Sequence, residues 1–125
     1  MSDSRALRIA LIGFGEVGQR FAGDLRHKPG VRLAAFDIGF AEQARRRRLL
    51  ARAEELGVAT ASSSAAATAG AGIVISAVTA DAAFAVASEA ARHLSSGQIY
   101  LDVNSASPGT KARAAEAVNA CGARY

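Results

Sequence analysis

Residues 13 to 18 read Gly13-Phe14-Gly15-Glu16-Val17-Gly18, and they directly follow an apolar run at residues 8–12. They also open a segment, up to Leu25, that suits a helix. In a turn from strand to helix, Gly13 permits the tight bend, Gly15 lets the backbone approach a pyrophosphate, and Gly18 lets the helix pack on the strand. The stretch therefore predicts a dinucleotide-binding turn, with the phosphates at the positive end of the first helix.

An acidic residue stands at the distance that such a site requires. Asp37 directly follows the second apolar run, residues 31–36, and lies 19 residues after Gly18. A carboxylate at the end of the second strand accepts hydrogen bonds from the hydroxyls of the adenosine ribose. The alternatives are an ordinary glycine turn and a helix-capping or surface aspartate. The glycines and the carboxylate together favour the dinucleotide site.

The composition limits which kinds of protein the chain can be. The 125 residues suit one domain, residues 1–125, and half of them are hydrophobic. No apolar stretch is long enough to span a bilayer, and residues 1–5 lead into the first strand without a secretory signal, so a cytoplasmic protein is expected. The net charge of +4 equals the four arginines of the run Arg45-Arg46-Arg47-Arg48, a pattern typical of a solvated helix face. Neither nucleic-acid binding, nor a membrane partner, nor a metal site is expected.

Strand and helix patterns alternate along the chain, which predicts an α/β fold with a parallel sheet covered on both faces. We expect a Rossmann-type doubly wound sheet in three layers, α/β/α. Strands are predicted at residues 8–12, 31–36, 58–60, 73–78 and 99–103, with another beginning at 123–125. Helices are predicted at residues 16–26, 41–56 and 65–69. Two further helices are predicted, one capped by Asp81 and ending at residue 94, the other capped by Ser107 and ending at residue 121.

Ligands of open parallel sheets bind at the carboxyl ends of the strands, beside the switch point. The loops at residues 13–18, 78–81 and 104–107 should meet there. Thr79 is a candidate cofactor contact, and Asn104 or Ser105 a candidate hydrogen-bond partner of the nicotinamide ribose, its carboxamide or a substrate hydroxyl. For each of them the alternative is a turn or helix-capping residue.

The choice of cofactor depends on two features. The charge of Asp37 repels a 2′-phosphate, which favours NAD. NADP remains the alternative, because one or two arginines of the run 45–48, turned toward the adenosine pocket, could pair with that phosphate.

Three stretches together, residues 13–25, 73–81 and 102–108, resemble the amino-terminal domain of the β-hydroxyacid dehydrogenases. This family includes 6-phosphogluconate dehydrogenase and 3-hydroxyisobutyrate dehydrogenase, and the likeness covers nearly the whole chain. The strand that ends in Asp102, followed by Asn104-Ser105 and Ser107-Pro108, is more discriminating than the glycine motif. Asp102-Val103 replaces the glycine pair of the phosphogluconate enzymes, which argues against phosphogluconate as the substrate.

The resemblance implies a role for each part of the site. The residues from Gly13 to Gly18 would line the pyrophosphate turn, and Asp37 would hold the adenosine ribose. Val78, Thr79, Asn104 and Ser105 would approach the nicotinamide. The implied activity is that of an NAD(P)-dependent oxidoreductase, which transfers hydride between the nicotinamide and a hydroxy acid.

Members of that family continue into a substrate loop and an all-helical domain that carries a catalytic lysine. This chain contains neither, and Lys28 and Lys111 are not expected to replace the lysine. We therefore expect residues 1–125 to bind the cofactor without turnover, and to form homodimers only together with a helical domain. The alternative is a stand-alone dinucleotide-binding sensor or regulatory module without catalysis.

Overall fold

The computed structural model describes residues 6–125, so the prediction about a secretory signal at residues 1–5 lies outside the described part. One five-stranded sheet organises the chain. Its strands are β1 (Leu7–Ile12), β2 (Val31–Phe36), β3 (Val58–Thr60), β4 (Ile73–Ser76) and β5 (Ile99–Asp102). They run parallel in the order β3-β2-β1-β4-β5. The chain thus starts in the middle of the sheet and winds outward twice, which confirms the predicted Rossmann-type fold.

Helices cover both faces of this sheet. They are α1 (Glu16–Leu25), α2 (Gln43–Leu56), α3 (Ser64–Thr68), α4 (Ala83–Ala91) and α5 (Pro108–Ala120). Successive side chains of a strand point to opposite faces, so β1 contributes to two cores. Ile9 and Leu11 pack with α1 and α2, whereas Ala10 and Ile12 pack with α3, α4 and α5. The result is the predicted three-layer arrangement.

Local signals set several helix ends. Gly57 takes a left-handed conformation, φ +71°, at the end of α2, as predicted for a glycine in that place. Ser107 caps α5, its Oγ accepting a hydrogen bond from the Thr110 amide at 3.2 Å, with Pro108 in the first turn. Ser63 caps α3 in the same way.

The predicted end of β4 and both predicted ends of α4 were wrong. Strand β4 ends at Ser76 instead of 78, because the amide of Val78 donates to the side chain of Asn104 at 2.7 Å and not to a neighbouring strand. Asp81 does not cap α4. It lies inside a 3-10 turn, Ala80–Ala82, and the helix begins after it, at Ala83, and ends at Ala91.

Pairing beyond β5 begins at the position predicted for a further strand. Arg124 forms a parallel bridge with Ile99. Its amide donates to the Gln98 carbonyl at 2.8 Å, and its carbonyl accepts from the Tyr100 amide at 2.6 Å. The segment after α5 therefore docks on the outer edge of β5.

Candidate functional site

The carboxyl ends of four strands lie side by side. Ile12 of β1 is paired with Phe36 on one side and Ser76 on the other, and Ser76 is paired with Asp102. The loops that follow these strands border one cleft of about 590 Å³, a volume ordinary for small-molecule sites. Its walls include most of the predicted residues: Gly13, Gly15, Glu16, Val17, Asp37, Val78, Thr79, Asn104 and Ser105.

Each glycine of the turn has its own steric environment. Gly13 has φ +101°, and a Cβ there would collide with the carbonyl oxygen of Ala77. A Cβ on Gly18 would collide with the carbonyl oxygen of Gly13, because α1 lies so close to the turn. Gly15 differs from both, since no heavy atom beyond its two chain neighbours lies within 4 Å of the Cβ position. The backbone at Gly15 therefore faces open space inside the cleft.

Helix α1 begins at this opening. Gly15 is its N-cap residue and offers no side chain to cap the first amides. The amino end of a helix carries a partial positive charge and amides without partners inside the helix. Glu16 and Val17 follow and are exposed, and Val17 shares the cleft with another exposed apolar residue, Ile38. The opening thus combines an anion-attracting helix end with apolar side chains.

Phe14, a predicted turn residue, lies beneath the cleft. Its ring is buried and packs against Phe40 with a centroid distance of 6.2 Å. Its amide donates to Oδ2 of Asp37 at 2.6 Å. The turn is therefore anchored by a core side chain and by a buried hydrogen bond.

The carboxylate of Asp37 is buried and holds two backbone segments together. Oδ2 accepts from the Phe14 amide, and Oδ1 accepts from the Gly39 amide at 2.7 Å. The second bond caps a 3-10 turn, Ile38–Ala41. Asp37 also lines the cleft, so it is both a brace of the turn and an acceptor at the surface of the site.

Arg45 completes this end of the cleft. Its Nη2 lies 3.3 Å from Oδ1 of Asp37, and its Nη1 donates to Oε1 of Glu42 at 3.0 Å. Of the four consecutive arginines, only Arg45 borders the cleft. Arg46 and Arg47 border a groove elsewhere on α2, beside Gln43 and Leu50.

Asn104 joins the loops after β4 and β5. It is buried, and its Oδ1 accepts from the Val78 amide at 2.7 Å. Its Nδ2 donates to Ser76 Oγ at 3.0 Å and to Asp102 Oδ1 at 2.9 Å. Both amide protons are therefore used within the protein, and the remaining capacity is a lone pair on Oδ1.

Thr79 and Ser105 are exposed on the rim of the cleft. Thr79 stands at the start of the 3-10 turn, but its side chain does not cap that turn. The alternative prediction for Thr79, a helix-capping side chain, is therefore not what the structure shows.

The sequence reasoning missed a polar cluster behind Asn104. Asp102 Oδ1 accepts from the Asn104 amide at 2.9 Å and lies 3.8 Å from Lys111 Nζ, while Oδ2 accepts from the Tyr125 hydroxyl at 2.8 Å. Lys111 also donates to the Asp102 carbonyl. The two-residue spacing of Asp102 and Asn104 was a readable sign of an Asx turn. No local sequence pattern indicated that Tyr125 would reach them.

The tyrosines of this cluster have perturbed ionisation. Tyr100 and Tyr125 stack with ring centroids 5.8 Å apart. Burial raises the pKa of Tyr100 to about 12. Burial, and then the hydrogen bond donated to Asp102, raise the pKa of Tyr125 above its usual value. Both side chains are therefore neutral at physiological pH.

A second cleft, of about 560 Å³, lies elsewhere on the sheet and is lined by Arg8, Arg26 and Arg32 among others. None of the predicted site residues belongs to it. Within residues 6–125 no group of three or more His, Cys, Asp or Glu side chains is placed to bind a metal ion. The helices of the same residues include none with the length and apolarity needed to cross a membrane.

The chain was compared with models of protein families. The model of the NAD binding domain of 6-phosphogluconate dehydrogenase matches residues 8–125. No curated protein matches the chain at a significant level.

Solved structures gave several close matches. A conserved hypothetical protein from Sinorhizobium meliloti 1021 is 43% identical, with a TM-score of 0.89 over 98% of this chain and 40% of its own. A conserved protein of unknown function, described as structurally similar to 3-hydroxyacid dehydrogenases, is 35% identical, with a TM-score of 0.73 over 90% of this chain and 40% of its own. The 3-hydroxyisobutyrate dehydrogenase of Mycobacterium tuberculosis shares the fold at 19% identity, with a TM-score of 0.81 over 95% of this chain and 38% of its own. The chain thus spans about 40% of the length of these structures.

Proposed function

The chain belongs to the family of the NAD binding domain of 6-phosphogluconate dehydrogenase, as its sequence motifs predicted, and from this we propose that it binds its nicotinamide dinucleotide in the 590 Å³ cleft. The observation that carries the proposal is the open position at Gly15, directly at the start of α1. A pyrophosphate there would meet backbone amides and the positive end of the helix, without a side-chain cation.

We propose the following orientation of the cofactor. The adenosine ribose lies at Asp37, and the adenine ring lies against the exposed apolar side chains of Val17 and Ile38. The nicotinamide lies toward Val78, Thr79 and Ser105, with Asn104 holding the two loops in place and offering the remaining lone pair of Oδ1. The acidic charge at Asp37 favours NAD over NADP.

We also propose an activity for the protein as a whole. Residues 1–125 form one cofactor-binding domain of an oxidoreductase that acts on a hydroxy acid. The bound cofactor supplies or accepts hydride at C4 of its nicotinamide, while this chain orients it. In this proposal the base that takes the hydroxyl proton lies outside these residues, and Lys111, which contacts Asp102, does not replace it. Alone, the chain binds the cofactor without turnover, and the homodimer is formed through other parts of the protein.

The test is calorimetric titration of NAD⁺ and NADH into the unsubstituted chain, called the parent below, and into a Gly15→Val variant. Since no atom beyond the two chain neighbours lies within 4 Å of the Cβ position, the variant should fold. Its side chain would occupy the space of the pyrophosphate, and we expect the affinity to fall at least about tenfold, or about 1.4 kcal/mol.

Gly109→Val is the matched control. Gly109 also has open space around its Cβ position, but it lies in α5, and the cleft lining does not include it. We expect its affinity to match that of the parent. Unchanged affinity in a folded Gly15→Val variant would reject the proposed phosphate site.

A further inference from the structure

We propose that Arg45 sets the choice between NAD and NADP, because its guanidinium can hold the 2′-phosphate of NADP while it also offsets the charge of Asp37. This inference rests on the proposed function. The charged side chains among the described residues that line the cleft are Glu16, Asp37 and Arg45. Arg45 is the cation of this set.

The position of Arg45 suits a phosphate on the 2′-oxygen. The ribose hydroxyls would bond to the carboxylate of Asp37, and the Arg45 guanidinium lies 3.3 Å from Oδ1 of that carboxylate. A phosphate on the same ribose is therefore within reach of the guanidinium. The Arg45 side chain is 39% exposed, so solvent and ligand have access to it. Its planar fork of donors matches the geometry of phosphate oxygens.

Gly39 provides the space in which the guanidinium lies. A Cβ on Gly39 would stand 2.6 Å from Cδ1 of Leu49 and 2.9 Å from both Cζ and Nη2 of Arg45, so it would displace the guanidinium from its present place. Gly39 does not have a positive φ, so the backbone conformation does not require glycine here. The absence of a side chain at residue 39 therefore leaves room both for the buried side chain of Leu49 and for the contact of Arg45 with Asp37.

The electrostatic balance at this end depends on the same contact. An unpaired Asp37 would repel a 2′-phosphate. Arg45 offsets this charge, and Oδ1 is already shared between the Gly39 amide and Arg45. Glu42, which holds the other end of the guanidinium, is 46% exposed, and solvent screens such a surface pair. A phosphate can therefore replace Glu42 at small cost.

The experiment compares the affinities of NAD⁺ and NADP⁺, measured by calorimetric titration, for the parent chain and Arg45→Gln. We expect the parent to bind both cofactors. Losing a charge-assisted contact to phosphate should lower the NADP-to-NAD affinity ratio about 10- to 100-fold in Arg45→Gln. Arg45→Lys keeps the positive charge but loses the planar set of donors, so it should lower this ratio by a smaller factor. This variant replaces Arg45→Gln in the test if Arg45→Gln fails to fold.

Arg46→Gln is the matched control, because it removes the same charge from the next residue of α2, outside the cleft. Its affinity ratio should stay within about threefold of the parent value, since exposed charges are screened. An unchanged ratio in Arg45→Gln, or a parent that binds NAD⁺ but no NADP⁺, would overturn the assignment of Arg45 and leave the proposed function standing. A parent that binds neither cofactor would overturn both.

Discussion

Asp37 ties the glycine turn to the 3-10 turn at residues 38–41 through two hydrogen bonds. Its position after the second strand could be predicted from the chain, because the spacing from Gly18 is typical of a ribose acceptor. The bonds to Phe14 and Gly39 could not, since they depend on where the turn places its amides. For Arg45, the run of four arginines could be seen in the sequence. Which of the four borders the cleft depends on how α2 is rotated about its own axis, and the sequence does not determine this rotation.

Asp37→Ala should lower the free energy of unfolding by about 1–3 kcal/mol, because the amides of Phe14 and Gly39 lose a buried acceptor. Urea denaturation measures this. Asp24→Ala, at an exposed aspartate of α1, is the control and should stay within about 0.5 kcal/mol of the parent. Equal stability of Asp37→Ala and the parent would show that the carboxylate does not brace the turn.

For Asn104, too, the position could be predicted from the sequence, whereas the hydrogen bonds could not. The sequence predicted that it would stand at the nicotinamide side, and the structure brings it to the cleft. Its amide group is nonetheless mostly used to tie Val78, Ser76 and Asp102 together. Such long-range side-chain bonds follow from the pairing of β4 with β5, which a local pattern does not contain.

Among the elements, the strands were the most predictable. Their apolar runs are bounded by turn residues, and β1, β2 and β3 are close to the predicted segments. The errors concern the ends of β4 and α4, where Asn104 takes over the Val78 amide and a 3-10 turn precedes the helix. The errors at the end of β4 and at the start of α4 lie at the cleft, where the backbone leaves the regular strand and helix.

The segment that docks on β5 has a testable pH dependence. The pKa of Tyr100 is raised from 10.0 to about 12 by burial, and that of Tyr125 is also raised. A raised pKa means that the unfolded chain releases the phenol proton first. The stability contributed by the neutral tyrosines is therefore fully present below pH 10 and is lost as the pH rises through the folded-state pKa, near 12 for Tyr100.

We expect the parent chain to lose unfolding free energy between about pH 9 and about pH 11.5, as measured by urea denaturation at both values. Tyr100→Phe should lose less over the same interval, by an amount on the order of 2 kcal/mol. Tyr125→Phe should also reduce the loss. If both variants follow the parent curve, the two phenols do not stabilise the docked segment in their neutral form.

Within residues 6–125, two clefts beside the sheet have similar volumes, about 590 and about 560 Å³. The cleft at the carboxyl ends of the strands contains the glycine turn, Asp37 and the loops after β4 and β5. The other is lined by Arg8, Arg26 and Arg32. Strand order places the first cleft at the switch point between β1 and β4, which is where parallel sheets bind their ligands. The site therefore follows from the topology of the whole chain, and the glycine motif marks it.

The most direct measurement is a titration of the ¹⁵N-labelled chain with NADH, followed by the shifts of its backbone amide signals. We predict that the largest shifts occur at Gly15, Glu16 and Val17, at Ile38 and Gly39, and at Val78 and Thr79. Gly15→Val should need at least about ten times more NADH to produce shifts of the same size. Shifts confined to Arg8, Arg26 and Arg32, or no shifts at a saturating concentration of cofactor, would contradict the proposed site.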